Sequence, residues 1–144
     1  MRMTNKQFSQ ELIKWAVKFG LKNFYFNRDD TQYYAASVGQ MKDGKPYLSY
    51  NLSSIREYGE DWYAILFHEF GHIINKHYLI KHTNLMERVK REYQAELFAY
   101  KTIKKYFPKR AKEFKKRQLE MIMDDDWGTR WPVHQEAFRR VYCK

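Results

Sequence analysis

Apolar residues recur every three or four positions through most of the chain, which is the spacing of amphipathic helices. Asn84, with Glu87 three residues later, resembles a capping box and predicts a helix start. That helix should end near Tyr106, because Pro108 follows Phe107 and the residue before a proline avoids helical geometry. The pattern predicts helices over residues 4–19, 60–80 and 84–106, a further helix to about 123, and a last helix from about 133, with turns around Gly128 and Pro132.

Between residues 20 and 60 the pattern changes to that of a sheet. The segments NFYFN and YYAASVGQM indicate strands, and YLSYNLS alternates its side chains between two faces. Asp43-Gly44 predicts a hairpin turn, because Gly and Asp tolerate the positive φ that both turn positions require. We therefore predict an α+β fold in which a small antiparallel sheet with a hairpin packs on a helical core.

Length and composition predict one globular domain over residues 1–144. The N-terminal residues lack the small-residue cleavage site of a secretory signal, and no apolar run approaches the roughly 20 residues that span a bilayer. Cys143 is the single cysteine, so neither an internal disulfide nor a cysteine-based zinc site is available. We expect a cytoplasmic protein that does not contact a membrane.

The net charge is +10, and residues 101–117 carry nine basic side chains against one acidic side chain, Glu113. Such a run is typical of a solvated helix face. It also favours contact with nucleic acid or an acidic protein, because a basic patch concentrates anions and speeds their encounter. The candidate residues for such contact are Lys104, Lys105, Lys115 and Lys116. Charge by itself does not choose between these interpretations.

The segment AILFHEFGHII, residues 64–74, contains two histidines four residues apart and a glutamate directly after the first, within an otherwise apolar sequence. Residues four apart lie on one face of a helix, so His68 and His72 can present two imidazole nitrogens to one cation. Glu69 borders that face, where its carboxylate can reach a metal-coordinated water as a general base. Gly71, inside the motif, weakens helix propensity, and we interpret it as a close packing position. The alternative is a core helix whose histidines bond to backbone groups.

A catalytic zinc ion takes three protein ligands and leaves one position open for water. Glu92, on the next predicted helix, can supply the third ligand if the KHTNL connection folds the two helices into a hairpin. Glu96, one turn later, is suited to accept a hydrogen bond from a ligand imidazole. Both glutamates have an alternative role as surface partners of neighbouring lysines and arginines. His77 falls on the wrong side of the helix for a ligand, and His82 would need an unusual bend.

These residues resemble a known family. HEFGH with a glutamate twenty residues later is similar to the gluzincin arrangement, and EYQAELFA resembles a second signature of ImmA/IrrE-type metallopeptidases. The resemblance covers about residues 46–100. It implies a zincin-like fold, the ligands His68, His72 and Glu92, the base Glu69, and cleavage of a regulatory protein. The basic segment YKTIKKYFP departs from the apolar stretch that this family usually has, and no helix-turn-helix region is evident.

The expected activity is zinc-dependent hydrolysis of a peptide bond in a protein or peptide substrate. YLSYNLS is expected to form the sheet edge along which an extended substrate pairs. The residue that donates a hydrogen bond to the oxyanion is not identified, and His134, Arg130 or a tyrosine can serve. The segment TRWPVHQEAF, which contains His134 and Arg130, is more typical of a buried C-terminal tail. A second hypothesis is a basic module that binds nucleic acid or protein, with a structural or vestigial zinc site. A non-haem iron site fits less well, because it does not need Glu69.

Overall fold

The computed structural model describes residues 2–79 and 84–144. Its elements form an α+β fold, as predicted, in which helices outnumber strands. In chain order they are α1 Asn5–Lys18, β1 Tyr25–Arg28, β2 Ala36–Gln40, β3 Pro46–Tyr50, α2 Leu52–Arg56, a 3₁₀ turn Gly59–Asp61, α3 Trp62–Ile74, a 3₁₀ turn His77–Leu79, α4 Leu85–Tyr106, α5 Pro108–Ile122, α6 Asp125–Arg130 and α7 Pro132–Tyr142.

The starts of α1 and α4 follow from their capping residues. Thr4 and Gln7 form a reciprocal capping box, which satisfies two backbone N–H groups at the start of α1. Asn84 accepts a hydrogen bond from the Glu87 backbone N–H at 2.9 Å, as the sequence predicts. The end of α4 at Tyr106 also confirms the proline argument, and Pro108 then occupies the first turn of α5, where its missing N–H is harmless.

One helix prediction was wrong in its end, and one turn prediction was wrong. The central helix ends at Ile74, because Lys76 adopts a positive φ of 56° and turns the chain out of helical geometry. Residue 80, where that helix was predicted to end, lies outside the described residues, as do His82 and most of the KHTNL connection. The predicted turn around Gly128 is instead helix α6, which Asp124 caps by accepting from the Asp126 and Trp127 N–H groups.

The predicted all-antiparallel sheet was also wrong. The three strands have the order β1-β3-β2, with β2 antiparallel to β3 and β1 parallel to it. Both ends of the β1–β2 connection bond to the end of β3. Asp29 N–H donates to the Tyr50 carbonyl, and Asn51 N–H donates to the Ala35 carbonyl. The connection therefore crosses from one side of β3 to the other. Consequently the expectation that YLSYNLS forms a sheet edge was wrong. Its residues 47–50 belong to the central strand β3, and its last residues begin helix α2, which Asn51 caps. The edge strand that packs against α3 is β2.

The core surrounds α3, whose most buried apolar side chains include Leu66, Phe67 and Phe70. Helix α4 packs along α3, and α7 packs against α4. The C-terminal tail contributes buried apolar residues, as a core tail was predicted to do. Within residues 2–79 and 84–144, no helix combines the length and apolar character needed to cross a bilayer.

Gly71 allows α3 and α4 to approach closely. A Cβ atom built at this position would lie 2.8 Å from both the Cα and the carbonyl oxygen of Ala95. The sequence indicated close packing at this position, and the neighbour is the backbone of α4 at Ala95. We expect Gly71→Ala to lower the free energy of unfolding by about 1–3 kcal/mol, because overpacking outweighs the better helix propensity of alanine. Urea denaturation of both proteins measures the change, and an unchanged or raised stability would contradict this account.

Candidate metal centre

The site forms where α3 and α4 pack together. His68 and His72 lie four residues apart on α3, and each side chain exposes only a small fraction of its surface, 11% for His68 and 13% for His72. Glu92 extends from α4 towards both imidazoles. Its Oε2 atom lies 2.8 Å from Nε2 of His68 and 3.3 Å from Nε2 of His72. Among the described residues, this group has the composition and spacing of a metal-binding site.

The three candidate ligand atoms fit a tetrahedral cation. The two Nε2 atoms are 3.2 Å apart, and the distances to Glu92 complete a compact triangle. A tetrahedron with metal–ligand bonds of about 2.0–2.1 Å has edges of about 3.3–3.4 Å, so two of the three separations need almost no adjustment. The third, between His68 and Glu92, is shorter because these groups contact each other directly. The cluster could therefore hold a divalent ion.

Glu96 and Tyr142 orient His68. The second ring nitrogen of His68, Nδ1, lies 3.1 Å from Oε1 of Glu96, and the Tyr142 hydroxyl donates to Oε2 of Glu96 at 2.9 Å. Glu96 is buried, so its carboxylate depends on these two contacts. An Nδ1–H bonded to Glu96 leaves Nε2 free to coordinate an ion. Glu96 lies where its spacing from Glu92 predicts, beside a ligand imidazole, whereas nothing in the sequence indicated the contribution of Tyr142.

His77 orients His72 in a corresponding way. Its Nδ1 lies 2.8 Å from Nδ1 of His72, and its Nε2 lies 2.8 Å from Oε1 of Gln94. Sequence spacing put His77 on the wrong side of a continuous helix. The helix ends before it, however, and the turn at Lys76 brings the imidazole back to the site. Because Nε2 of His72 faces the other ligands, its Nδ1–H can donate to His77, whose Nε2–H then donates to Gln94.

Removing His77 should weaken metal binding without removing a ligand. We expect His77→Ala to raise the dissociation constant for zinc by roughly 10–100-fold, the usual effect of losing an outer hydrogen-bond partner. Competition with a chromophoric chelator measures the constant. His77→Gln can retain an acceptor for His72, so it should recover part of the affinity. Equal affinities for all three proteins would show that His77 does not position His72.

The electrostatics of these side chains favour a cation between them. Burial acts to lower the pKa of His68, but its hydrogen bonds to Glu92 and Glu96 outweigh burial and hold that pKa well above the ordinary value. Burial likewise acts to raise the pKa of Glu92, but the two histidines hold it well below the ordinary value. The carboxylate is thus ionised and His68 protonated near neutral pH, so the histidine proton occupies the place a metal ion would take.

Metal binding should therefore release the proton on Nε2 of His68. Because the pKa of His68 is raised, affinity for zinc should increase as pH rises towards that pKa and level off above it. Calorimetric titrations in two buffers with different ionisation enthalpies measure the number of protons released. We expect a release of about one proton from His68 at neutral pH. An affinity that does not change with pH would contradict this arrangement.

Glu69 is on α3 next to His68 and is 8% exposed. Burial raises the pKa of its carboxyl group, while the neighbouring histidines act in the opposite direction. A carboxylate with a raised pKa accepts a proton more readily near neutral pH, which suits a general base. Glu69 does not belong to the three-residue ligand group, consistent with a position beside the ligands rather than among them.

His134 lies at the same site, on the first turn of α7. Its Nε2 is 3.4 Å from Oε2 of Glu92, and its side chain is about one-third exposed, at 32%. Burial lowers the pKa of His134, so the ring is neutral near pH 7 and can donate one N–H. Arg130, the other candidate oxyanion donor in this segment, is exposed at the end of α6. Within the described chain, no contact between Arg130 and the ligand residues is seen.

The basic residues of the alternative hypothesis lie away from the ligands. Lys104 and Lys105 are exposed at the end of α4, Lys116 is exposed on α5, and Lys115 is half-buried there. Lys104 lies over the Tyr100 ring and Lys105 over the Tyr106 ring, at 4.5 and 5.3 Å from the centroids. These contacts are typical of a solvated helix surface and identify no partner.

Comparison with known proteins does not identify a relative. No protein family, curated protein or solved structure gives a significant match to this chain. The interpretation of the site therefore depends on its own residues and their geometry.

Proposed function

We propose that this protein is a zinc-dependent peptidase of the zincin-like type, with His68, His72 and Glu92 as ligands. The observation that carries the proposal is the convergence of three ligand atoms within 4.8 Å of one another, beside a buried glutamate. Two imidazoles and one carboxylate suit zinc in a catalytic site. When bound there, zinc lowers the pKa of a coordinated water and polarises a carbonyl group. A ferrous site uses the same ligand types but needs no adjacent glutamate.

Glu69 acts as the general base in this proposal. Its carboxylate accepts a proton from the attacking water and passes it to the nitrogen of the leaving amine. The raised pKa supports the first step, because the group is a stronger base than an exposed glutamate. His134 is the candidate donor to the oxyanion that develops on the carbonyl oxygen, since its neutral ring lies beside Glu92.

The substrate is expected to bind as an extended peptide along β2. This strand forms an edge of the sheet and packs against α3. On its outer side it pairs with no strand among the described residues, so backbone groups there can pair with a peptide near the ligands. A protein substrate must then present an unfolded or flexible segment. Cleavage of a regulatory protein, which the family resemblance implies, is compatible with such a segment.

Metal dependence tests the activity. The purified protein is incubated with casein and with a mixed peptide library, and new amino termini are counted. We expect cleavage that a chelator abolishes and that added zinc restores. Ferrous iron under anaerobic conditions, which tests the non-haem iron alternative, should restore less activity than zinc. Absence of cleavage in the zinc-loaded protein on every substrate would count against a peptidase of broad specificity.

The basic-module hypothesis has a separate test. Neutralising Lys104, Lys105, Lys115 and Lys116 together would weaken binding of duplex DNA and reduce its salt dependence if these residues contact phosphates. We favour the peptidase because the metal centre is a built arrangement of contacts, whereas these lysines lie on a solvated surface.

A further inference from the structure

Two exposed tyrosines and one half-buried tryptophan form a group of aromatic side chains beside the candidate metal centre. Tyr33 and Tyr34 lie in the connection between β1 and β2, and Trp131 lies between α6 and α7. The Tyr33 and Trp131 rings stack at 26° with centroids 5.9 Å apart, and the Tyr34 ring lies 5.4 Å from that of Trp131. We call these three residues the aromatic cluster. It joins two parts of the chain that are distant in sequence.

The aromatic cluster presents apolar surface to solvent, mainly from its two tyrosines. Tyr33 is 73% exposed and Tyr34 is 51% exposed. Rings that already pack on one another lose little freedom when a ligand binds, so the surface is preorganised. Scattered exposed apolar residues need no explanation, but three in mutual contact form a patch of the kind that binds a partner.

The position of the aromatic cluster indicates which partner this is. The Trp131 ring contacts the His134 ring at 5.4 Å, and Nε2 of His134 lies 3.4 Å from the ligand oxygen of Glu92. On its other side, Tyr34 is separated by one residue from Ala36, where the edge strand β2 begins. A peptide that pairs alongside β2 would therefore pass the cluster as it approaches the ligands.

We propose that the aromatic cluster binds an aromatic or large aliphatic side chain of the substrate, close to the bond that is cleaved. This inference rests on the proposed peptidase function and adds a substrate preference to it. Ring faces and edges provide apolar contact area together with the geometric preferences of aromatic pairs.

A peptide library provides the first test. Zinc-loaded protein digests a mixture of peptides derived from a bacterial proteome, and mass spectrometry gives the residues around each cleaved bond. We expect aromatic and large aliphatic residues to be enriched at one position within about two residues of that bond, and Trp131→Ala to reduce the enrichment about three- to tenfold. The double variant Tyr33→Ala, Tyr34→Ala should act similarly. Both tyrosines are exposed, so this variant should fold even if Trp131→Ala does not.

Tyr58→Ala is the matched control, because Tyr58 is an exposed tyrosine on the turn before α3. Its cleavage profile should equal that of the unsubstituted protein. Zinc content and circular dichroism of every variant separate a change of preference from a loss of the site. An unselective profile, or one that the cluster variants leave unchanged, would overturn the proposal.

A binding measurement separates this proposal from the peptidase itself. Zinc-loaded Glu69→Gln is titrated with two capped hexapeptides that differ only in a central Phe or Ala, with saturation-transfer NMR as the readout. We expect tighter binding of the Phe peptide and loss of that preference in the cluster variants. Preference for the Phe peptide in this titration, without any hydrolysis by the zinc-loaded unsubstituted protein, would refute the peptidase and retain the cluster. Hydrolysis without a preference for the Phe peptide would retain the peptidase and refute the role of the cluster. Absence of hydrolysis and of preference would refute the two proposals together.

Discussion

Replacing Glu69 by glutamine is expected to reduce peptide hydrolysis by about 10²–10⁴-fold, the usual contribution of a general base. Glutamine keeps the size of the side chain but cannot accept the proton from water. The buried position of Glu69 leaves little room for another carboxylate to take over its role. Initial rates on a library-derived peptide measure the change, with zinc supplied at saturation.

Metal content makes this test specific. Glu69 is not part of the ligand group, so Glu69→Gln should bind zinc with the same stoichiometry as the unsubstituted protein. Glu60→Gln changes an exposed acid shortly before α3 and should leave both activity and zinc content unchanged. Full activity in Glu69→Gln would assign the base elsewhere. Loss of zinc from it would instead make Glu69 part of the metal-binding arrangement.

Replacing Glu92 by alanine should produce the largest loss of metal affinity. Loss of an outer partner costs roughly 10–100-fold, so loss of a direct ligand should exceed about 100-fold. The physical reason is that two imidazoles remain without the only anionic atom in the triangle. Chelator competition measures the affinity, and Glu87→Ala, which removes an exposed glutamate from the same helix, is the matched control.

Glu92 also has an effect that does not require metal. Its hydrogen bond contributes to the raised pKa of His68, so Glu92→Gln should lower that pKa in the metal-free protein. NMR titration of the imidazole resonances measures the shift. A lower pKa of His68 together with unchanged zinc affinity would place Glu92 beside His68 but assign the third ligand to another residue.

The local parts of this structure were predictable because they depend on residues close together in sequence. Helical geometry puts His68 and His72 on one face, and the same rule relates Glu92 to Glu96. Asn84 and the proline at 108 define the two ends of α4 for equally local reasons. The α+β class followed from the change between helical and alternating patterns.

Other features depended on backbone geometry that the apolar pattern does not encode. The positive φ of Lys76 ends the regular path of α3 and allows His77 to reach His72. Extending the helical repeat through this point gave the wrong location for His77. Similarly, the alternation within YLSYNLS identified a strand but did not specify its neighbours, so its central place in a mixed sheet was missed.

Helical periodicity was enough to group the two α3 histidines with their adjacent glutamate, and to pair the two glutamates on the next helix. Packing between distant segments sets the close contact of these helices at Gly71 and Ala95, the hydrogen bond from Tyr142 to Glu96, and the contact of Trp131 with the two tyrosines. Spacing along a helix could be predicted because its backbone hydrogen bonds fix it. Contacts between distant segments depend instead on how the whole core packs, and no local repeat specifies that packing.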